Sequence, residues 1–182
     1  MKILIFNGSM EPHEGSTARK ISQYFADYLQ GAGVEVIKYN IAAAQIPLLD
    51  LRSKTVPAAV KDMAEKFREA DAHFWLSPLY HGSIPGGMKN CLDWLEITSR
   101  WTSPYLTGKV IGFVCWGEGT QAMQGINTMD AVAKALRAWT LPYSVPIYKK
   151  HLLDSQQQIG EEYKHKFDHM LHMLLNCFQL KQ

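Results

Sequence analysis

Three stretches of this chain are apolar on both of their alternating faces: "KILIF" at 2–6, "AHFWL" at 72–76 and "KVIGFVCW" at 109–116. A strand with one face in water alternates apolar and polar residues, so an unbroken β-favouring run belongs to a strand covered above and below. Helical patterns separate these runs. Ile21, Tyr24, Phe25, Tyr28 and Leu29 recur at three- and four-residue intervals, and Gly31 and Gly33 end the segment. Further helices are predicted over 58–70, 87–98, 122–139 and 160–180, the last with an apolar stripe of Tyr163, Phe167, Met170, Leu174 and Phe178. A second strand is read over 34–41 and a fifth in "YSVPIYK", where Pro146 points to a sheet edge. Strand and helix thus alternate five times. That order predicts an α/β three-layer sandwich: a five-stranded parallel sheet, right-handed βαβ units, and helices on both faces.

The 182 residues suit one domain over 1–182, and no repeat, low-complexity tract or linker divides them. A formal net charge of +2 with no basic stripe argues against nucleic acid as a partner. Cys91, Cys115 and Cys177 are far apart and lack CxxC spacing, which argues against a disulfide framework or a zinc site and for reduced thiols in the cytoplasm. No stretch approaches the ~20 apolar residues of a membrane span, and the short N-terminal apolar run lacks the features of a signal peptide.

In an open parallel sheet, ligands bind beyond the carboxyl ends of the strands, at the point where strand order reverses. Three loops therefore draw attention. The first, "NGSMEPHEGST", brings glycines, the hydroxyls of Ser9, Ser16 and Thr17, and the amides of a helix start, a combination suited to a phosphate. It matches neither GxxxxGK[ST] nor GxGxxG, and a plain loop with a capping Ser16 or Thr17 is the equal alternative. The second, "SPLYHGSIPGG" at 77–87, breaks the chain repeatedly after a buried strand, either as a ligand loop or as a turn before a helix. The third, "CWGEGTQ", sets Trp116 at a strand end, to flank a flat ligand or to pack in the core.

"SPLYHGSIPGGMKNCLDW" closely resembles the Pro-x-Tyr-Asn-Gly-Ser-x-Pro-Gly-x-Leu-Lys-Asn-x-x-Asp-Trp segment of the NADPH-dependent FMN reductase family, and "NGSMEPHEGSTA" is similar to that family's first loop. The resemblance implies a flavodoxin-like fold that holds FMN and takes electrons from NADPH or NADH. By position it implies that Ser9, Ser16 and Thr17 bind the FMN phosphate. Pro78, Leu79, Tyr80, His81, Gly82 and Ser83 would hold the edge of the flavin ring, and Trp116, Gly117 and Glu118 would border its pyrimidine side. Three features depart from the pattern. Glu11 stands where the family has arginine, with His13 as a candidate cation. His81 replaces asparagine, and Trp116 and Glu118 lie within the glycine-rich run after the fourth strand.

The function expected is hydride transfer from NAD(P)H through bound FMN to a small-molecule acceptor, a flavin, quinone or similar compound. The cofactor carries the chemistry, so no side-chain base is required and no metal is expected; His81 is the one candidate proton donor. An FMN-holding electron carrier or flavin-sensing protein with little NAD(P)H reactivity is the alternative, and a scaffold that has lost FMN is a third. His165, His169 and His172 lie opposite the apolar stripe of the last helix and read as solvent-facing. Met170, Leu171, Met173, Leu174 and Leu175 exceed one core stripe, which points to a homodimer or homotetramer.

Overall fold

The computed structural model describes residues 1–13, 15–53 and 55–179. In chain order the elements are β1 (Lys2–Asn7), α1 (Thr17–Gly31), β2 (Glu35–Asn40), α2 (Ile41–Ala44), α3 (Ala58–Glu69), β3 (Ala72–Pro78), α4 (Gly86–Asp93), β4 (Val110–Gly117), α5 (Ala122–Ala135), β5 (Trp139–Thr140), β6 (Val145–Tyr148) and α6 (Glu161–Gln179). The predicted end of the last helix at Leu180 lies outside the described residues.

The sheet is parallel throughout, in the order β2-β1-β3-β4-β5, with β6 also on β4. It has six strands where five were expected, because the last one is split. Ile111 faces Thr140 and Val114 faces Val145, so two extra residues, beside Pro142, interrupt the ladder. Pro146 sits in this edge segment, where a missing N–H is tolerated.

Side-chain alternation along the strands fills two cores. Ile3, Ile5, Phe74 and Leu76 pack under α1 and α6, against Phe25 and Phe167. Leu4, Phe6, Trp75 and Phe113 pack under α3, α4 and α5, against Phe67, Met88 and Met129. The surplus apolar residues of α6 find burial in the same chain: Met170, Leu171 and Leu174 are core, and Met173 and Leu175 pack against it. The helix expected over 122–139 stops at Ala135. Arg137 takes a left-handed φ of 69° and the Ala138 amide turns back to the Ala133 carbonyl, which frees Trp139 to join the sheet. The helix expected over 87–98 is α-helical only to Asp93 and tightens to a 3-10 turn over Trp94–Thr98.

His73, on β3, is fully buried, with Nε2 3.0 Å from the Phe67 carbonyl oxygen. That geometry assigns the proton to Nε2, as donor. Burial, reinforced by the charge of Lys109, pushes its pKa down to about 3. An unfolded histidine takes up its proton near pH ~6.5. Between these values the unfolded state binds more protons, so the contribution of His73 is complete above pH ~6.5 and is lost as pH falls toward 3. Urea midpoints measured from pH 7.5 to 4.5 should fall more steeply for the parent than for His73→Phe. The difference should approach roughly 1.4 kcal/mol per pH unit; equal slopes would refute the assignment.

Candidate functional site

Strand order reverses between β1 and β3, since β1 leads outward to β2 while β3 leads on to β4. Backbone hydrogen bonds tie the loops at this edge together. The Gly8 amide donates to the Leu76 carbonyl at 2.8 Å, and the Leu79 amide to the Trp116 carbonyl at 2.7 Å. The loop after β1 is shaped by its own side chains. Asn7 Oδ1 accepts from the Ser9 amide at 2.9 Å, and Ser9 Oγ accepts from the Glu11 amide at 3.2 Å, two successive side-chain turns. Ser16 is the N-cap of α1, its Oγ accepting from the Arg19 amide at 3.4 Å. The amides of the first helical turn have no intrahelical acceptor and carry the positive end of the dipole. Ser9, Ser16 and Thr17 are all buried within this loop.

Among the described residues, Glu11, His13 and Arg19 bear on the charge of this loop. Glu11 turns to His13, with Oε2 3.8 Å from Nε2, so the candidate histidine cation is matched by a carboxylate. Arg19 Nη2 donates to the Pro12 carbonyl at 3.4 Å, bracing the loop from behind. The sequence reading passed over Arg19; its spacing three residues after the Ser16 cap was the available signal.

The loop after β3 is a tight turn. The Tyr80 and Ser83 amides and carbonyls exchange hydrogen bonds at 2.8 and 3.0 Å. The two residues between them, His81 and Gly82, have φ of 50° and 81°. Positive φ at both central positions marks a type I′ turn. This accounts for His81 standing where the family carries asparagine: both residue types enter the left-handed region more readily than most. It also assigns His81 a backbone role. His81→Asn should leave stability within about 0.5 kcal/mol, whereas β-branched His81→Val should cost roughly 1–2 kcal/mol, read as a shift in denaturation midpoint. A neutral valine variant would mean that the turn is not strained. Pro78 ends β3 in register with Trp116, Leu79 lies against Gly117, and Pro85 leads into α4.

The loop after β4 begins at Trp116, whose side chain is buried with Val114, Val145 and Ile147 in the core beneath α1 and α6. Gly117 is buried, and the exposed Glu118 reaches Lys149 just past β6, with Oε1 2.7 Å from Nζ. Lys149 thus pairs with a carboxylate of this loop. That hydrogen bond raises the pKa of Lys149. Behind this loop α5 presses close to the sheet: a Cβ on Gly125 would meet Cys115 Sγ at 2.4 Å, so only glycine fits. Burial pushes the thiols of Cys91 and Cys115 up to about 12, which leaves them unreactive.

The first two loops and the start of α5 each leave a large hydrophobic side chain exposed. Met10 is 50% exposed, Tyr80 44% and, just past the third loop, Met123 46%. A phosphate-suited helix start, outward amides at a type I′ turn and three apolar side chains form a donor set that fits a flat ring carrying a phosphate tail. Among the described residues no cluster of His, Cys, Asp and Glu could hold a metal ion, and no helix is long and apolar enough to cross a membrane.

Sheet order and loop chemistry define a flavodoxin-like flavin-mononucleotide protein. The NADPH-dependent FMN reductase family matches residues 1–151, and the chain belongs to that family. It is an FMN-dependent NAD(P)H oxidoreductase. The chain is 27% identical to an NADPH azoreductase of Bacillus sp. (strain OY1-2) over 165 residues, covering 90% of this chain and 85% of that protein. It is 41% identical to the quinone reductase of Escherichia coli (strain K12) over 71 residues, covering 37% of this chain and 36% of that one. The flavoenzyme NAD(P)H:acceptor oxidoreductase FerB from Paracoccus denitrificans shares the fold, with a TM-score of 0.75 at 17% identity over 96% of this chain and 97% of that one.

Proposed function

We propose that FMN lies across the edge formed by the three loops and that the donor and a planar acceptor, a quinone or an azo compound, use the same exposed ring face in turn. The exposure of Met10, Tyr80 and Met123, in or next to the three loops of this edge, carries the reading. Relatives named for azo compounds and for quinones support this acceptor class. Bound FMN supplies the hydride and electron-transfer chemistry. The chain supplies binding and polarisation. Ser16, Thr17 and the first amides of α1 would hold the phosphate, while Ser9 and Arg19 shape and brace the loop around it. The amides of His81 and Gly82, fixed by the turn, would donate to the ring edge that gains negative charge on reduction. Lys149, paired with Glu118, adds a cation on the same side. Met10, Tyr80 and Met123 would shield the ring from water while leaving one face open to stacking.

Reduced, buried thiols support a cytoplasmic protein. Leu48 and Leu51, both largely exposed, support a homodimer or homotetramer. An anaerobic titration tests the central reading. The FMN-loaded protein should bleach with NADPH or NADH and regain colour on addition of a quinone. A yellow protein that neither donor bleaches would be an electron carrier instead, and a chain that takes up no added FMN would overturn both.

A further inference from the structure

At the opposite end of the sheet, about 23 Å away along the eight residues of β4, the end of α3, the 100–109 loop and the start of β4 line a solvent-open cleft of about 600 Å³. Its walls carry Arg68, Arg100, Lys109, Glu65, Trp101 and Tyr105. Arg68, Arg100 and Lys109 line it against one acid, Glu65, while Asp71 lies near Lys109 and Glu96 accepts from Tyr105 Oη at 3.0 Å. Glu65 answers Arg68, and Arg100 makes no ion pair with any described residue. Lys109 Nζ donates to the carbonyls of Arg68 at 2.8 Å and Ala70 at 2.5 Å, which leaves one of its three N–H groups for another acceptor. Burial lowers the pKa of this ammonium, so a nearby anion would favour its charged form.

The cleft also has flat walls that are held in place. The Arg68 guanidinium lies 5.8 Å from the Trp101 ring centroid, and that of Arg137 lies 5.3 Å from the Tyr105 centroid. Tyr105 and Arg137 both adopt left-handed backbone, with φ of 56° and 69°. They persist there because the Tyr105 amide donates to Thr98 Oγ1 at 2.9 Å and the Leu106 amide to the Leu136 carbonyl at 3.0 Å. Such strain is retained where surrounding bonds over-determine it. The cleft is of small-molecule size, with aromatic walls and the guanidinium of Arg100 left without an ion pair among the described residues. We propose that it is a second binding site, separate from the flavin edge, for a planar aromatic anion bearing a carboxylate, sulfonate or phosphate.

The probe is 2-naphthoate, with the neutral 2-naphthamide as its counterpart, titrated calorimetrically into protein saturated with FMN so that the flavin edge is filled. One naphthoate should bind per chain, at least tenfold more tightly than the amide. Nitrogen–proton NMR shifts should centre on the Trp101 indole and the Tyr105 amide. Arg100→Gln, at an exposed residue that braces no backbone, should leave the melting temperature unchanged and weaken naphthoate about tenfold, as expected for a lost charge-assisted hydrogen bond. Trp101→Ala should weaken both probes. Equal affinity for the two probes, shifts confined to residues 79–83 and 117–121, or wild-type binding by Arg100→Gln would each overturn the proposal.

Discussion

Phe6→Ala should be among the most destabilising single changes in this protein, costing about 3–5 kcal/mol, the range for deleting a fully packed phenylalanine. Phe6 is wholly buried at the centre of an aromatic cluster. Its ring centroid is 4.9 Å from that of Phe67 in an edge-on arrangement, and 6.1 Å from both Tyr39 and Trp75. Those three rings come from α3, β2 and β3, so no single neighbour can move into the vacated space without loosening another element. For a chain of this size each kcal/mol lowers the melting temperature by roughly 2–4 °C, so a drop on the order of 10 °C is expected by calorimetry. The loss should also reach the site, because Phe6 is followed directly by Asn7, Gly8 and Ser9, whose turns depend on where β1 ends. A drop below about 3 °C would mean that the ring cluster repacks around the cavity.

The parts of the fold that were plain in the amino acids are those decided by burial on two faces. Lys2–Asn7, Ala72–Pro78 and Val110–Gly117 carry largely apolar runs because helices cover both faces of the sheet, as is usual for parallel sheets. The split last strand was hidden. Ala133, Leu136 and Trp139 continue a helical spacing, and only the left-handed turn at Arg137, which no residue type advertises, moves Trp139 into the sheet. The breadth of the apolar face of α6 has a related cause: a helix lying on the sheet while also packing against α1 buries a broader stripe than spacing alone suggests, and Tyr24 Oη donating to Asp168 Oδ1 at 2.6 Å marks that second contact. At the site, loop composition identified which segments meet. It could not say that Trp116 turns into the core while Tyr80 stays in solvent, because the direction of a strand-end side chain depends on register. Lys149 was invisible for the same reason: its partner Glu118 lies 31 residues away.

Thr17→Asp separates folding from cofactor binding, and its effect on binding should be large. Thr17 opens α1 directly after the Ser16 cap, and the first turn of this helix contains no acidic residue. A carboxylate in the first turn of a helix is favourable by about 0.3–1 kcal/mol through the dipole, and aspartate is close to threonine in size. Thr17 is buried, so desolvation of the carboxylate works against that gain, and the melting temperature should move by no more than a few degrees. The same carboxylate would stand against the phosphate that the helix start is suited to hold. Two unit charges about 4 Å apart repel by about 4 kcal/mol at an effective dielectric constant of ~20, so FMN affinity should fall by at least a hundredfold. Glu11 supplies the opposite control. It already places a negative charge in this loop, paired with His13, so Glu11→Gln should tighten FMN severalfold where Thr17→Asp weakens it. Quenching of flavin fluorescence measures both. An affinity within threefold of the parent for Thr17→Asp, in a protein whose melting temperature is unchanged, would place the phosphate away from the start of α1 and require a different orientation of the cofactor across the three loops.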